Sequence, residues 1–517
     1  MPMRRRGWWS YVTVAALPLV ARLMMLLFIG VPEPYAGDEM SYLLAGDTFA
    51  HGRLTNPPHP MAHFFETYHE LMTPTYASKY PPAQGLFLAL GQVVFGHPWF
   101  GVLLSYALMT AAFCWMLQGW GPSWAAWLVA ASAGLHWALV PLPAGAGGHW
   151  MNSYWGGAVA AGAGALVLGA AGRFLKRFSA GASRAFAVGA SVLALSRPLE
   201  GLVLIILVLV ALGWVRPWSA PAWRGRAWAA APALAVGLAC LVFIGVYNRA
   251  VTGSATTFPY LVYDRQYAQA PGFWILPPAS RKVYAYEEMR RVFEEADLGF
   301  YRSLGPYAPA ITLTRFLFIL VPALVAPAWL LPLCLGWRGR RTPARRLLLV
   351  VLAGCVLLWL LMKIPQFHYM APAVGIVLIV VSRGVRQLRA MVRFQPRLMR
   401  AAPAALFMTF AGATLLQAFS MRGIAITPNA YLAERRAVIS QLTAAGGRHL
   451  VIVHYTPQED PNDQFWIFNA ADIDRAPIVW AHDNGRAGNQ PLLDYFRGRR
   501  VWLLESNAQP FTLRPYE

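Results

Sequence analysis

Apolar runs near the length of a bilayer crossing recur along this chain, and polar segments of two kinds separate them. Some separators are short and basic; others are long and mixed in charge. The pattern predicts spans at about 8–30, 98–118, 123–141, 155–172, 185–196, 200–215, 227–247, 311–335, 347–362, 369–382 and 401–420, eleven in all. An odd count carries a cytoplasmic N-terminus to an extracytoplasmic C-terminus. The run "PPAQGLFLALGQVVFG" (81–96) is apolar but short and reads as a re-entrant or interfacial segment. The stretch 185–215 reads as a hairpin rather than one helix, because "SRPLEG" places charge and proline at its middle. The first run follows "MPMRRR", is longer than a signal-peptide core and is not followed by an A-x-A site, so it is expected to stay as an anchor.

Three longer segments then lie between or after spans, at 31–97, 248–310 and 421–517. In the last, "RHLVIVHY", "APIVWAHD" and "RRVWLLES" have the look of short buried strands, with helices expected near 430–445 and 488–497. The expected fold class is mainly α: a polytopic helical membrane protein of about eleven spans (1–420) with a small extracytoplasmic α/β domain (421–517).

Composition agrees. The chain is 57% hydrophobic and 13% charged, where soluble proteins carry about 25% charged residues. Its net charge of +21 would suit a nucleic-acid partner if the charge were gathered on one surface. Instead, 21 of the 44 basic residues fall in five segments flanking apolar runs, beginning at Arg4, Arg173, Arg216, Arg338 and Arg383, and no acidic residue occurs in any of them. All 23 acidic residues lie elsewhere. This is the positive-inside signature, and it places those five segments in the cytoplasm without any need for nucleic acid. The four cysteines sit inside apolar runs at no metal-binding spacing and read as packing residues.

Charges near the outer ends of spans are few: Asp38-Glu39, Asp47, Lys79, Arg197, Glu200, Arg249, Arg315 and Lys363. Such residues face a cavity or a partner, or anchor the chain at the interface by snorkelling. A span followed by "GDEMSY" and then "KYPPAQGLFLALGQVVFG" resembles the GT-C class of integral-membrane glycosyltransferases, on the protein O-mannosyltransferase and lipid A aminoarabinose transferase branch. The hairpin "AVGASVLALSRPLEGLVLIILVLV" is similar to that branch's hairpin with a basic residue at its outer turn. The likeness covers roughly 8–250. It implies a polyprenyl-phosphate-linked sugar as donor, membrane lipids as surroundings, an extracytoplasmic acceptor, a bacterial cytoplasmic (inner) membrane setting, and an acidic residue of the first outer loop as base or metal ligand. By position that residue is Asp38, with Glu39 beside it. Lys79, Tyr80, Arg197, Glu200 and Lys363 are the expected donor-binding residues, the cations because a leaving lipid phosphate needs fixed positive charge.

Two further groups are candidates. In "HPMAHFFETYHE", His59 and His63 are four apart and Glu66 and His69 three apart, so on a helix each pair could share a face and hold a divalent metal ion. A hydrogen-bonded structural cluster is the other reading. In "PAGAGGHWMNSYWGG", His149, Asn152 and Tyr154 sit among tryptophans that suit a sugar face or an interfacial aromatic belt. A transporter or flippase of a lipid-linked or small polar substrate is the alternative function, though the matching halves common in transporters are not seen.

Overall fold

The structure, a computed structural model, describes residues 7–140, 150–215, 223–338, 342–420, 430–455, 466–506 and 512–517. The chain divides into two compact units. The first comprises Met1–Pro32, Trp99–Phe243 and Tyr307–Ile426, and the second Glu33–Pro98, Ile244–Pro306 and Thr427–Glu517. The two outer loops, counted with the membrane portion on sequence grounds, thus group with the C-terminal segment.

Among the described residues nine helices are long and apolar enough to cross a membrane: Gly7–Leu27, Trp99–Trp120, Gly157–Phe174, Pro198–Val215, Ala230–Thr252, Glu287–Leu324, Pro343–Leu361, Ala371–Met391 and Pro396–Ser420. The other two expected spans are shorter helices, Ser123–Leu139 and Ala180–Ala194. The hairpin expected at "SRPLEG" is present, since one helix stops at Ala194 and the next starts at Pro198. The span expected at 311–335 is not a single helix. Helix ends at Leu324, Val325 turns extended, and a new 3-10 turn opens at Pro327. Proline supplies no N–H for the preceding turn and pushes the residue before it out of helical geometry, so the run breaks there.

Within the first unit, small residues let backbones touch. A Cβ at Gly384 would collide with the carbonyl of Pro332, and one at Gly336 with the carbonyl of Val380, so helices Leu330–Gly336 and Gly375–Met391 meet backbone to backbone.

In the second unit, helix Gly37–Ala50 lies against helix Ala83–Phe95. A Cβ at Gly46 would stand 2.8 Å from Leu88 Cβ, and one at Gly85 would stand 2.8 Å from Ala45 Cβ. The outward side of Ala83–Phe95 carries exposed Leu86, Leu90, Val93, Val94 and Phe95, in keeping with a short apolar segment that does not span. Strands β1 (Glu70–Leu71) and β2 (Ala77–Ser78) form an antiparallel pair.

Strands β3 (His449–His454), β4 (Ile478–His482), β5 (Arg500–Glu505) and β6 (Thr512–Pro515) form a sheet of order β4-β3-β5-β6. The first three are parallel and β6 is antiparallel. Alternation along β3 serves both faces. Leu450 and Ile452 join a core with Phe64, Phe65, Tyr76, Leu492 and Phe496. Val451 and Val453 join one with Val438, Leu442, Trp466 and Trp480. A third core unites Tyr68 and Leu71 with Tyr247, Tyr263, Met289 and Phe293. Residues from the first outer loop therefore complete cores begun by the second loop and by the C-terminal segment.

Candidate active site

Asp38 lies in the first turn of helix Gly37–Ala50, which starts as Ala36 leaves extended geometry. The partial positive charge of a helix N-terminus favours a carboxylate there. Tyr80 donates its hydroxyl to Asp38 Oδ1, and His69 Nε2 stands 3.1 Å from the same oxygen. Among the described residues Asp38 Oδ2 has no hydrogen-bond donor. With 32% of its side chain exposed, Asp38 can meet an incoming group through that oxygen. Tyr80 stacks on Tyr42 with ring centroids 4.4 Å apart. Lys79 places Nζ 4.5 Å from the ring centre of Tyr263 and 5.3 Å from that of Tyr80, so aromatic faces wall in its ammonium group.

His69 is the one non-glycine residue with positive φ among the described residues, at 66°. Three contacts hold its backbone. Its N–H donates to Tyr263 Oη at 2.8 Å, and its carbonyl accepts from Ser41 Oγ at 2.6 Å and from the Lys79 N–H at 3.1 Å. Although 27% of its side chain is accessible, the packed surroundings and the Lys79 cation push its pKa down to about 4, against the opposing pull of Asp38. The imidazole is therefore neutral at pH 7.

Asp38, Lys79, Tyr80 and His69 thus come together in the second unit. Glu39 is turned inward, 1% exposed, and its Oε2 accepts the Tyr35 N–H at 3.1 Å. Tyr263, Ser41 and Ser78 join the site without any signal in the sequence, because their contribution is to hold backbone. Tyr263 is also 194 residues from the His69 it supports.

The expected metal group does not assemble. The segment holds only a 3-10 turn at Ala62–Phe65, Glu66 leaves it with ψ 129°, and His69 is left-handed. Helical i+3 and i+4 spacing therefore brings no pair together. His59 meets Asp474 at 3.2 Å, His63 lies against Phe64, the Glu66 backbone carbonyl accepts from His482 Nε2 at 2.6 Å, and His69 faces Asp38. Burial raises the pKa of Glu66, with the nearby His482 opposing. Among the described residues no three His, Cys, Asp or Glu side chains converge to hold a metal ion. The described residues do not fit the metal-ligand alternative.

The remaining candidates belong to the first unit. Arg197 holds its guanidinium 5.0 Å from the Tyr369 ring centre, Glu200 follows in the first turn of Pro198–Val215, and Lys363 is 8% exposed. His149 lies outside the described residues. Tyr154 is buried and donates to the Pro32 carbonyl at 2.9 Å. Asn152 Oδ1 accepts from Nε of Arg22, a span residue 1% exposed that also donates to Gly30 O at 2.9 Å and packs on Trp99. Asn152 and Tyr154 both make hydrogen bonds within the protein. Replacing Asn152 by leucine leaves Arg22 Nε unpaired in an apolar place. It should destabilise the chain by about 2–3 kcal/mol, read as a lower Tm in detergent, with Arg22→Met restoring much of the loss.

Glu70, beside His69, is 1% exposed, and among the described residues neither carboxyl oxygen has a donor in good hydrogen-bond geometry. Burial pushes its pKa well above 4.5, with the nearby Tyr76 hydroxyl opposing. The folded chain therefore keeps a proton that the unfolded chain loses near pH 4.5. This destabilises the fold progressively as pH rises from there to the folded-state pKa. Glu70→Gln removes that dependence, so its Tm gain over the parent should be larger at pH 8 than at pH 4.

No family model matches this sequence, and no curated protein matches it. Solved structures do. At 12% identity and a TM-score of 0.49, the chain aligns with the Archaeoglobus fulgidus oligosaccharyltransferase over 96% of its own length and 67% of that chain. ArnT from Cupriavidus metallidurans in the apo state aligns at 15% identity and TM-score 0.52, over 97% of this chain and 93% of that one. ArnT crystallised with undecaprenyl phosphate aligns at 14% identity and TM-score 0.54, over 97% and 94%. The mainly helical, polytopic fold expected from the hydrophobic pattern is thus found, and in fold this chain is similar to ArnT along nearly its whole length.

Proposed function

We propose that this chain is a glycosyltransferase that moves a sugar, a hexose or a pentose, from a polyprenyl-phosphate donor to an extracytoplasmic acceptor in the envelope of a bacterium. The acceptor is a lipid, a glycan or a protein. The observation that carries the reading is the Asp38 carboxylate, held through Oδ1 with Oδ2 open, beside the Lys79 ammonium. The acceptor hydroxyl attacks the anomeric carbon and its proton passes to Oδ2. The bond from that carbon to the phosphate oxygen breaks, and its electron pair leaves on the polyprenyl phosphate. Lys79 is a fixed cation for that developing charge. The fold shared with ArnT, which has been crystallised with undecaprenyl phosphate, supports the choice of carrier. The basic segments support a cytoplasmic-membrane chain with its N-terminus inside and the second unit's three segments outside.

The test incubates the purified chain in nanodiscs with a panel of undecaprenyl-phosphate hexoses and pentoses and envelope lipid, glycan and protein fractions. Release of undecaprenyl phosphate coupled to labelling of one fraction is the expected result. Donors left intact with every fraction would overturn the proposal. Lys79→Met should lower kcat about 10²-fold in the same assay, as for loss of one charge-stabilising group.

A further inference from the structure

The left-handed backbone at His69 needs a reason. A non-glycine residue at φ 66° carries a steric cost that glycine lacks, and asparagine bears less of it than other residues. Such strain persists where the surroundings enforce it, and it gathers at functional sites. Here the enforcement is visible in the hydrogen bonds to Tyr263 Oη, Ser41 Oγ and the Lys79 N–H. Ser41 is itself tied to Ser78 Oγ at 2.7 Å, and Ser78 Oγ accepts the Tyr80 N–H at 3.1 Å. Each of these contacts except the Tyr263 bond comes from helix Gly37–Ala50 or from the β2–Lys79–Tyr80 segment, the two pieces that supply Asp38, Lys79 and Tyr80. Glycine at position 69 would adopt this geometry with less strain. What glycine would lack is the imidazole, and the imidazole is what stands 3.1 Å from Asp38.

We infer that His69 is a positioning residue for Asp38: its ring and the Tyr80 hydroxyl both engage Oδ1, turning Oδ2 toward the acceptor. His69 takes no proton in the reaction. A neutral ring offers one N–H, and with Nδ1 buried and without a partner among the described residues that hydrogen belongs on Nε2, facing the carboxylate. The inference rests on the reading of Asp38 as the base.

Three variants in the nanodisc assay test it: His69→Gly, His69→Gln and Asp38→Asn. Glycine should keep or raise Tm, because it relieves the left-handed strain, yet lower kcat about 10- to 100-fold, the worth of one hydrogen bond to a charged group, with KM for the donor within about twofold. Glutamine, whose amide reaches as far as Nε2, should recover several-fold in kcat over glycine despite a lower Tm. If glycine does not fold, asparagine takes its place under the same criteria. Wild-type kcat in His69→Gly, or no recovery with glutamine, overturns the assignment of His69. Full activity in Asp38→Asn overturns the base itself, so the two failures are told apart.

Discussion

Asp38→Asn should lower kcat by about 10²–10⁴-fold, the range general-base catalysis supplies, while Tm stays within a degree or two of the parent. The two outcomes separate because the substitution is nearly isosteric. Asparagine Oδ1 still accepts the Tyr80 hydroxyl and still faces His69 Nε2, the two side-chain contacts of Asp38 among the described residues. What disappears is the ability to hold a proton. Stability and donor binding should persist, the latter measured as retention of undecaprenyl phosphate by the nanodisc-embedded protein. A variant that turns over at the parental rate would mean that the acceptor is already ionised or that another group takes its proton. A variant that unfolds would mean that Asp38 mainly stabilises the helix start.

Much of the fold was legible because lipid imposes a strict rule on sequence: backbone groups must be satisfied within each crossing, so spans appear as long apolar helices. Ser123–Leu139 and Ala180–Ala194 match their expected positions despite being short, because basic segments and turns bracket them. The break at Val325 and Pro327 was missed because hydropathy does not register a local change in backbone direction. In the soluble portion, strands β3 and β4 were readable as short apolar runs buried on both faces, and β5 as a partly buried one. Strand β6, with exposed Thr512 and Arg514, gives no such run.

The site was legible only where one residue type carries the chemistry. Asp38 and Lys79 stand out because charge is rare near a span. His69 was noticed for the wrong reason, as part of a helical metal spacing that the 3-10 turn at Ala62–Phe65 never forms. The contact of Asn152 with Arg22 was not legible, because Arg22 lies 130 residues away within the first span. Long-range pairing of a buried cation leaves no local pattern, and the same holds for Tyr263.

Arg499→Met should cost at least about 1–3 kcal/mol, the range for leaving a buried hydrogen-bonding group unsatisfied. It should appear as a large fall in Tm and early proteolysis of the C-terminal segment in the full-length chain. Arg499 is 7% exposed and spends its guanidinium on backbone. Nη1 donates to Ala476 O at 2.7 Å and His449 O at 3.1 Å, and Nη2 to Asp474 O at 2.7 Å. The Phe496 ring lies 5.1 Å away. These carbonyls sit at the start of β3 and in the loop leading into β4, so one side chain ties the entry of the central strand to the chain that becomes its neighbour. Methionine fills the space but strands the acceptors in a dry place, each then bearing its full desolvation cost. Arg499→Lys should fall between the two, because a single ammonium cannot span the fork that the guanidinium bridges. Equal stability of arginine and methionine forms would show that water satisfies those carbonyls. In that event the sheet's register would be set by the alternating cores on either side of β3 alone.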